Sequence, residues 1–361
     1  MFETALSRGR LNARRGWRSE AASSVMAERI RELKLSGRAL VVDDDAGTVT
    51  NALAAAGIET FEWHRRAVHG QLSMPWVPVG PFDNAAVRLP IGREALEMLL
   101  HAVASQLRPH GRVFVYGTND EGIRSAARTI EGLFGNVATL DTRRHSRLLY
   151  AERPIEIAGL RRELSEWRLE VEVDLPGGPV RLVSYPGVFA HGKLDRGSQM
   201  LISILPPIPE GACVLDFGCG VGVIAAAVLQ GSPRAHVDLL DVSALAIEAA
   251  RENVPTGRYI LGDGLRAVAD SRYDFIISNP PIHTGKGEDF RVLSDLIEQS
   301  PGRLRKGGSI LLVVQRTVPA QDLLRGAFDS VSRVSESPQF TVWRGTSPNR
   351  RQRMVVSSGG S

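Results

Sequence analysis

From residue 180 to residue 314 the chain repeats one rhythm: a short apolar run rich in β-branched residues, a polar break, then a longer run of helical composition. VRLVS (180–184), ACVLDFG (212–218), HVDLLD (236–241), RYIL (258–261), YDFIIS (273–278) and SILLVV (309–314) are the short runs. VGVIAAAVLQ and SALAIEAAREN are two of the longer ones, and Ser243 is placed to cap the second through backbone N–H groups two or three residues on. Strands that alternate with helices argue for an α/β fold with a doubly wound, mostly parallel sheet covered on both faces. In such a sheet ligands sit beyond the carboxyl ends of the strands. Pro301 interrupts the last helical run and predicts a kink or an early stop there.

The first half carries a fainter copy of the same text. FDNAAVRLPIGREALEMLLHAVASQLRPHGRVFVY (82–116) lines up with YDFIISNPPIHTGKGEDFRVLSDLIEQSPGRLRKGGSILLVV (273–314): an aromatic-Asp strand, a proline, an apolar helix, a basic residue, a glycine and another strand. Upstream, RALVVDDDAGTVTNALAAAG (38–57) takes the place of ACVLDFGCGVGVIAAAVLQG, yet only Gly47 remains of the glycine cluster. An internal duplication explains this, with a first copy that keeps the sheet and has lost the site; a convergent strand-helix-strand unit is the alternative. The expected organisation is a basic tail over 1–26, a degenerate domain over 27–175, an intact domain over 176–346 and a basic tail over 347–361. The link between domains is placed near LPGGP (175–179), where glycine and proline cluster.

Composition narrows the setting. With 361 residues, 43% hydrophobic and 23% charged, the chain can bury two cores without staples. Cys213 and Cys219 are its only cysteines, so neither a disulfide framework nor a zinc site is expected, and a reducing cytoplasm fits. No apolar stretch approaches bilayer length, and the first twenty residues lack a signal peptide's apolar block, so no membrane partner is expected. The formal charge of +4 permits an anionic partner. Arg8, Arg10, Arg14, Arg15 and Arg18 load one end and Arg344, Arg350, Arg351 and Arg353 the other. Both clusters suit phosphates, and both equally suit solvated ends.

The chemistry concentrates at strand ends. In LDFGCGVGV (215–223) a strand ends at Asp216 and glycines follow at Gly218, Gly220 and Gly222 before a helix begins. A nicotinamide cofactor wants its third glycine where Val223 stands. What remains is the D-x-G-x-G pattern that cradles the amino acid portion of S-adenosylmethionine, with Asp216 facing the ammonium and backbone amides the carboxylate. Asp241, twenty-five residues on, is placed to accept from ribose hydroxyls or to favour a helix N-terminus. Asp263 is placed for an adenine amino group, or simply for a turn beside Gly264.

SNPPIHTGKG (278–287) follows the fourth strand. The Asn279 side-chain oxygen accepts a hydrogen bond, and Pro280 and Pro281 offer carbonyls without N–H groups. Such a corner can hold an exocyclic –NH2 with its lone pair aimed at a methyl carbon, after which methyl transfer is mainly a matter of positioning. His283 is a possible proton acceptor, although packing accounts for it as well, and Lys286 is a phosphate contact or a solvated loop residue.

YPGVFAHGKLDRGSQMLIS (185–203), LDFGCGVGV, SNPPIHTG and FTVWR (340–344) together resemble the ribosomal RNA guanine-N2 methyltransferases of the small-subunit type and their large-subunit relatives. The resemblance covers residues 180 to 346 and implies two tandem Rossmann-like methyltransferase domains, the first degenerate. It implies S-adenosylmethionine as cofactor and ribosomal RNA or a ribosomal subunit as partner. It assigns Asn279, Pro280 and Pro281 to the target amine, Asp216, Gly218, Gly220 and Asp241 to the cofactor, and Asp195, Gly197 and Ser198 to the rim of the same pocket. The family generally carries an aromatic where this chain has Ile282, so base stacking is weaker or comes from elsewhere, with Phe290, Phe340 and Trp343 as candidates, although core packing accounts for each of the three more readily. Two rival functions stay open: a glutamine-amide methyltransferase acting on a translation factor, which shares the Asn-Pro-Pro corner, and a non-catalytic RNA-binding or ribosome-assembly protein.

Overall fold

The computed structural model describes residues 20–67, 72–281, 283–284, 287–288 and 290–349. Its two compact units part between Trp167 and Arg168.

The first unit opens with helix α1 (20–33), which buries Ala22, Val25, Met26 and Ile30, the i, i+3, i+4, i+8 stripe of a core-facing helix. The basic tail expected over 1–26 therefore ends before residue 20. Next come β1 (Arg38–Val42), α2 (Thr48–Ala55), β2 (Glu59–Trp63), β3 (Phe82–Arg88), α3 (Arg93–Gln106), β4 (Leu107–Thr118), α4 (Ile123–Phe134), β5 (Ala138–Arg143) and β6 (Ser146–Glu152). They form one six-stranded sheet in the order β2-β1-β3-β4-β6-β5.

The second unit begins with a hairpin of β7 (Leu169–Leu175) and β8 (Gly178–Ser184), paired antiparallel as a separate two-stranded sheet. Two sequence expectations are corrected here. VRLVS belongs to this hairpin and not to the main sheet, and LPGGP is its turn and not a linker. Glycine and proline mark a chain reversal in both settings, so composition alone does not separate them.

The main sheet follows α5 (Arg196–Ser203) and contains β9 (Cys213–Phe217), α6 (Val223–Gly231), β10 (His236–Asp241), α7 (Ala244–Asn253), β11 (Arg258–Leu261) and β12 (Tyr273–Ser278). A short β13 (His283–Thr284) and β14 (Gly287–Glu288) pair with each other, and α8 (Arg291–Gln299) stops where Pro301 opens a 3-10 turn. The unit closes with β15 (Leu304–Gln315), α9 (Ala320–Ala327), β16 (Phe328–Glu336) and β17 (Phe340–Pro348). Strand order is β11-β10-β9-β12-β15-β17-β16, parallel up to β15 and antiparallel after it. Because β17 runs to Pro348 and the Asn349 N–H bonds the Ala327 carbonyl at 3.1 Å, the sheet extends past the tail boundary expected at 346.

Both units use the same device to start their sheets. The Asp83 carboxylate accepts from the Arg38 N–H at 2.8 Å and pairs with Arg108 at 3.3 Å. Asp274 accepts from the Cys213 N–H at 2.8 Å and pairs with Arg305 at 2.9 Å. Each strand carrying that acid shows a register shift just there, between Phe82 and Asn84 and between Tyr273 and Phe275.

Candidate active site

The carboxyl ends of β9 and β12 border one cleft in the second unit, and Asp241 at the end of β10 bonds the glycine turn that lines it. Beyond β9 the chain reverses through Gly218, Gly220 and Gly222 at φ 67°, 54° and 82°, the left-handed region that glycine adopts freely. At Gly222 close packing adds to the requirement, since a Cβ there would lie 3.0 Å from both Leu239 and Val254. The turn's amides are engaged inside the fold. Gly218 and Cys219 N–H groups donate to the Leu240 carbonyl at 2.8 and 3.1 Å, Gly220 N–H to Asp241 Oδ2 at 2.9 Å, and Gly222 N–H to the Cys219 carbonyl at 2.8 Å. These four glycine-turn amides are therefore not the carboxylate donors expected from the sequence; the glycines instead leave bare backbone against which a ligand can lie.

Asp216 is 1% exposed. Its Oδ2 accepts from the Ala225 N–H in α6 at 3.1 Å, while Oδ1 is buried with no partner. Burial in low dielectric pushes this carboxyl up to about 7; the Ala225 hydrogen bond opposes the shift and the Asp241 charge adds to it. Asp241 clamps the turn, accepting from Gly220 N–H and, through Oδ1, from Ser243 N–H at 2.8 Å. Ser243 caps α7 as expected, with its Oγ accepting from Ala246 N–H at 3.3 Å. Asp263 is exposed past the end of β11, the strand beside β10, and Gly262 N–H bonds the Asp241 carbonyl at 3.0 Å.

The Asn-Pro-Pro corner meets the glycine turn, for Pro281 Cδ lies 3.9 Å from the position a Cβ would take on Gly218. Ser278, one residue before, anchors the corner by donating to the Phe217 carbonyl at 2.7 Å. Asn279 Nδ2 donates to Asp195 Oδ2 at 2.8 Å and to Ser198 Oγ at 3.0 Å. Its Oδ1 accepts from no described residue, and Asn279 lines the same cleft as Gly218, Gly220, Asp195 and Ser198. Ile282 and Lys286 lie outside the described residues, as does the side chain of His283, whose backbone pairs with Glu288.

The hairpin and the segment after it supply walls that sequence reasoning missed. Val171, Val173 and Leu182 face the cleft from β7 and β8, and Asn253 holds that hairpin in place by bonding both the N–H and the carbonyl of Val183 and the Val221 carbonyl of the glycine turn. Phe189 also lines the cleft and is 63% exposed, an unusual setting for a phenylalanine. The next residue, Ala190, is held at φ 56°, a conformation costing an alanine about 1–2 kcal/mol, and Ser184 Oγ bonds His191 Nδ1 at 2.8 Å to fix the turn. The three candidate aromatics pack into cores, the readier of the two readings their sequence allowed. Phe290 and Trp343 pack against one core cluster and Phe340 against another, with the Phe340 ring backing Gly197. The signal for Phe189 was present as an aromatic inside GVFAHG, where glycine and histidine on either side deny it a core periodicity.

Taken together these residues fit S-adenosylmethionine: a buried Asp216 oxygen lacks a donor at the strand end just before the glycine turn, and that turn's bare backbone and apolar walls border the cleft. Among the described residues no cluster of three or more His, Cys, Asp and Glu is placed to hold a metal, and no helix is long and apolar enough to cross a membrane.

Comparison with known proteins agrees with this geometry. The Methyltransferase small domain profile matches residues 179–344, and the Methyltransferase small domain N-terminal profile matches residues 47–163. The ribosomal RNA small subunit methyltransferase C of Pseudomonas entomophila (strain L48) is 38% identical over 75% of this chain and 81% of its own. That of Stutzerimonas stutzeri (strain A1501) is 32% identical over 87% of this chain and 96% of its own. Among solved structures, the 16S rRNA N2 methyltransferase of T. thermophilus in complex with AdoMet and guanosine shares the fold, with a TM-score of 0.80 at 20% identity over 91% of this chain and 92% of that one. With that identity spread over both units, the chain belongs to the ribosomal RNA small subunit methyltransferase C family.

Proposed function

We propose that the protein transfers a methyl group from S-adenosylmethionine to the exocyclic N2 amine of a guanine in small-subunit ribosomal RNA, in the cytoplasm. When bound, the cofactor supplies an electrophilic methyl carbon on a sulfonium. Asp216 holds its ammonium, Asp241 and Asp263 its ribose and adenine, and Gly218, Gly220 and Gly222 give it room. Asn279 Oδ1 and the Pro280 carbonyl accept the two hydrogens of the target amine. That grip draws the nitrogen lone pair out of conjugation and aims it at the methyl carbon, so catalysis is positioning and no base is needed before attack. Phe189 offers its face to the flipped guanine in place of the aromatic missing at Ile282.

The observation that carries this reading is the Asn279 amide, whose hydrogens are both taken by Asp195 and Ser198, whose oxygen accepts from no described residue, and which lines one cleft with the glycine turn. The test is incubation with radiolabelled S-adenosylmethionine and small subunits, large subunits or a release factor from a strain lacking the enzyme, followed by nucleoside analysis. N2-methylguanosine in small-subunit RNA is expected. Label in protein overturns the RNA assignment, and label nowhere returns the chain to a binding role.

A further inference from the structure

We infer that Asp195, assisted by Ser198, is a positioning residue that decides which end of the Asn279 amide faces the substrate. The inference rests on the reading of Asn279 as the amine's acceptor. The two ends of a carboxamide are nearly equal in size, so shape alone does not orient them; hydrogen-bond partners do. A carboxylate only accepts, and Asp195 Oδ2 lies 2.8 Å from the amide, so the –NH2 end must face Asp195. Ser198 Oγ, 3.0 Å away, takes the second hydrogen. Both hydrogens of the amide are then taken, and its oxygen is the end left to accept from an incoming amine.

The clamp is itself held. Ser198 N–H donates to the same Asp195 Oδ2 at 3.0 Å, so the acid caps α5 and orients the amide at once. Gly197 lets α5 come this close, since a Cβ there would sit 3.0 Å from Asp195 Oδ2 and 3.4 Å from Asn279 Nδ2. A flipped amide would set its oxygen against the carboxylate and lose the Asp195 bond, while the Ser198 hydroxyl, able to donate as well as accept, could bond either end; Asp195 therefore decides the orientation.

Asp195→Ser separates the two jobs, because serine still caps a helix while its shorter side chain gives up Asn279. With small ribosomal subunits as substrate, kcat should fall about 10- to 100-fold, the worth of one charge-assisted hydrogen bond, while KM and S-adenosylmethionine affinity stay within about threefold. Ser198→Ala should cost less, about three- to tenfold in kcat. The sharper readout is a sign reversal in a second background. Asn279→Asp sets two carboxylates together and should be nearly inactive. Adding Asp195→Asn should then raise its activity, since an amide at position 195 can donate to a carboxylate that has an acceptor at either end. A purely capping role for Asp195 predicts no rescue, and this double variant decides the matter even if Asp195→Ser misfolds. Full kcat in Asp195→Ser beside an inactive Asn279→Ala overturns the clamp and leaves the acceptor reading standing. Full turnover in Asn279→Ala removes both.

Discussion

Asp83 and Asp274 occupy matching places in the two halves of the chain and do the same thing: each accepts from the first N–H of the neighbouring strand and pairs with an arginine ahead of the next strand. Count along the matching strands from Arg38 and Cys213, and the likeness stops at the sheet. Val41 stands where the second half has Asp216, Asp43 where it has Gly218, Asp45 where it has Gly220, and only Gly47 matches Gly222. The backbone nevertheless keeps the left-handed conformation at two of the three glycine positions, with Asp43 at φ 55° and Gly47 at φ 66°, and departs from it at Asp45. Arg88 replaces Asn279, and its guanidinium donates to the Tyr116 carbonyl at 3.3 Å and to Glu121 at 2.6 Å. Where one half presents an amide oxygen that accepts from no described residue, the other holds an ion pair.

The contrast separates residues that serve the sheet from residues that weaken it. Asp83 and Asp274 tie strand to strand whatever is bound, so both halves need them. A buried acid with an orphaned oxygen lowers stability unless a ligand satisfies it, and the first half keeps one too: Asp44 is 1% exposed, its Oδ2 accepts from the Val49 and Thr50 N–H groups and its Oδ1 has no partner, so with Val41 in the place of Asp216 the halves differ in where that acid sits. Among the described residues the first unit has no counterpart to the outer strand β11, whose end carries Asp263.

Four experiments press on this contrast. The largest effect belongs to Asn279→Ala, expected to cut turnover about a hundred- to a thousandfold while calorimetry finds cofactor affinity unchanged. Its mirror image, Arg88→Asn, should create no second activity and should cost about 1–2 kcal/mol in denaturant unfolding, because it breaks an ion pair whose arginine is buried and whose Glu121 is partly open to solvent. Methyl transfer lost in both variants alike would dissolve the distinction between the halves.

Cofactor binding should depend on pH through Asp216 alone. With its carboxyl at about 7, the acid carries a proton below that pH and must release it to meet an ammonium. Affinity should therefore rise about tenfold per pH unit up to about 7 and level off above, with proton release visible in buffers of different ionisation heat. Free of ligand, the sign for stability is opposite. The folded state holds this proton more tightly than the unfolded chain, so the contribution is full below the ordinary carboxyl value and is lost as pH rises through about 7. Asp216→Asn should flatten both dependences and weaken binding; a pH slope that survives it assigns the titration elsewhere.

Gly222→Ala and Gly47→Ala compare the two helix starts. Both force alanine into left-handed backbone, at about 1 kcal/mol. Only Gly222 is also crowded, by Leu239 and Val254 at 3.0 Å, whereas Gly47 has Asn51 Nδ2 at 3.5 Å. The second half should lose about 1–3 kcal/mol more by chemical denaturation. Smallest and most nearly equal should be Asp83→Ala and Asp274→Ala, at about 1–2 kcal/mol each; a large inequality would mean the shared device does different work.

Much of this was legible in residue order. HVDLLD, RYIL and YDFIIS are strands at the residues expected, Ser243 caps its helix, and Pro301 stops one. These are local statements, made by residues within one turn or one strand of each other. The misplacements at LPGGP and at both ends have the same origin: a turn looks like a linker, and a helix or strand near a terminus looks like a tail, until burial is known.

By itself the sequence determined the alternation that makes the sheet, the duplication, the glycine turn and the acceptor-rich corner, because each is written in spacing and in side-chain chemistry. Only the tertiary structure decided that Asp195 and Ser198, more than eighty residues away, take the hydrogens of Asn279. It also decided that Asp241 takes the Gly220 amide and that Phe189 stands open while Phe340 is packed away. A hydrogen-bond donor has many possible acceptors along a chain. Which one it meets is set by how helices and strands pack, and no periodicity records that.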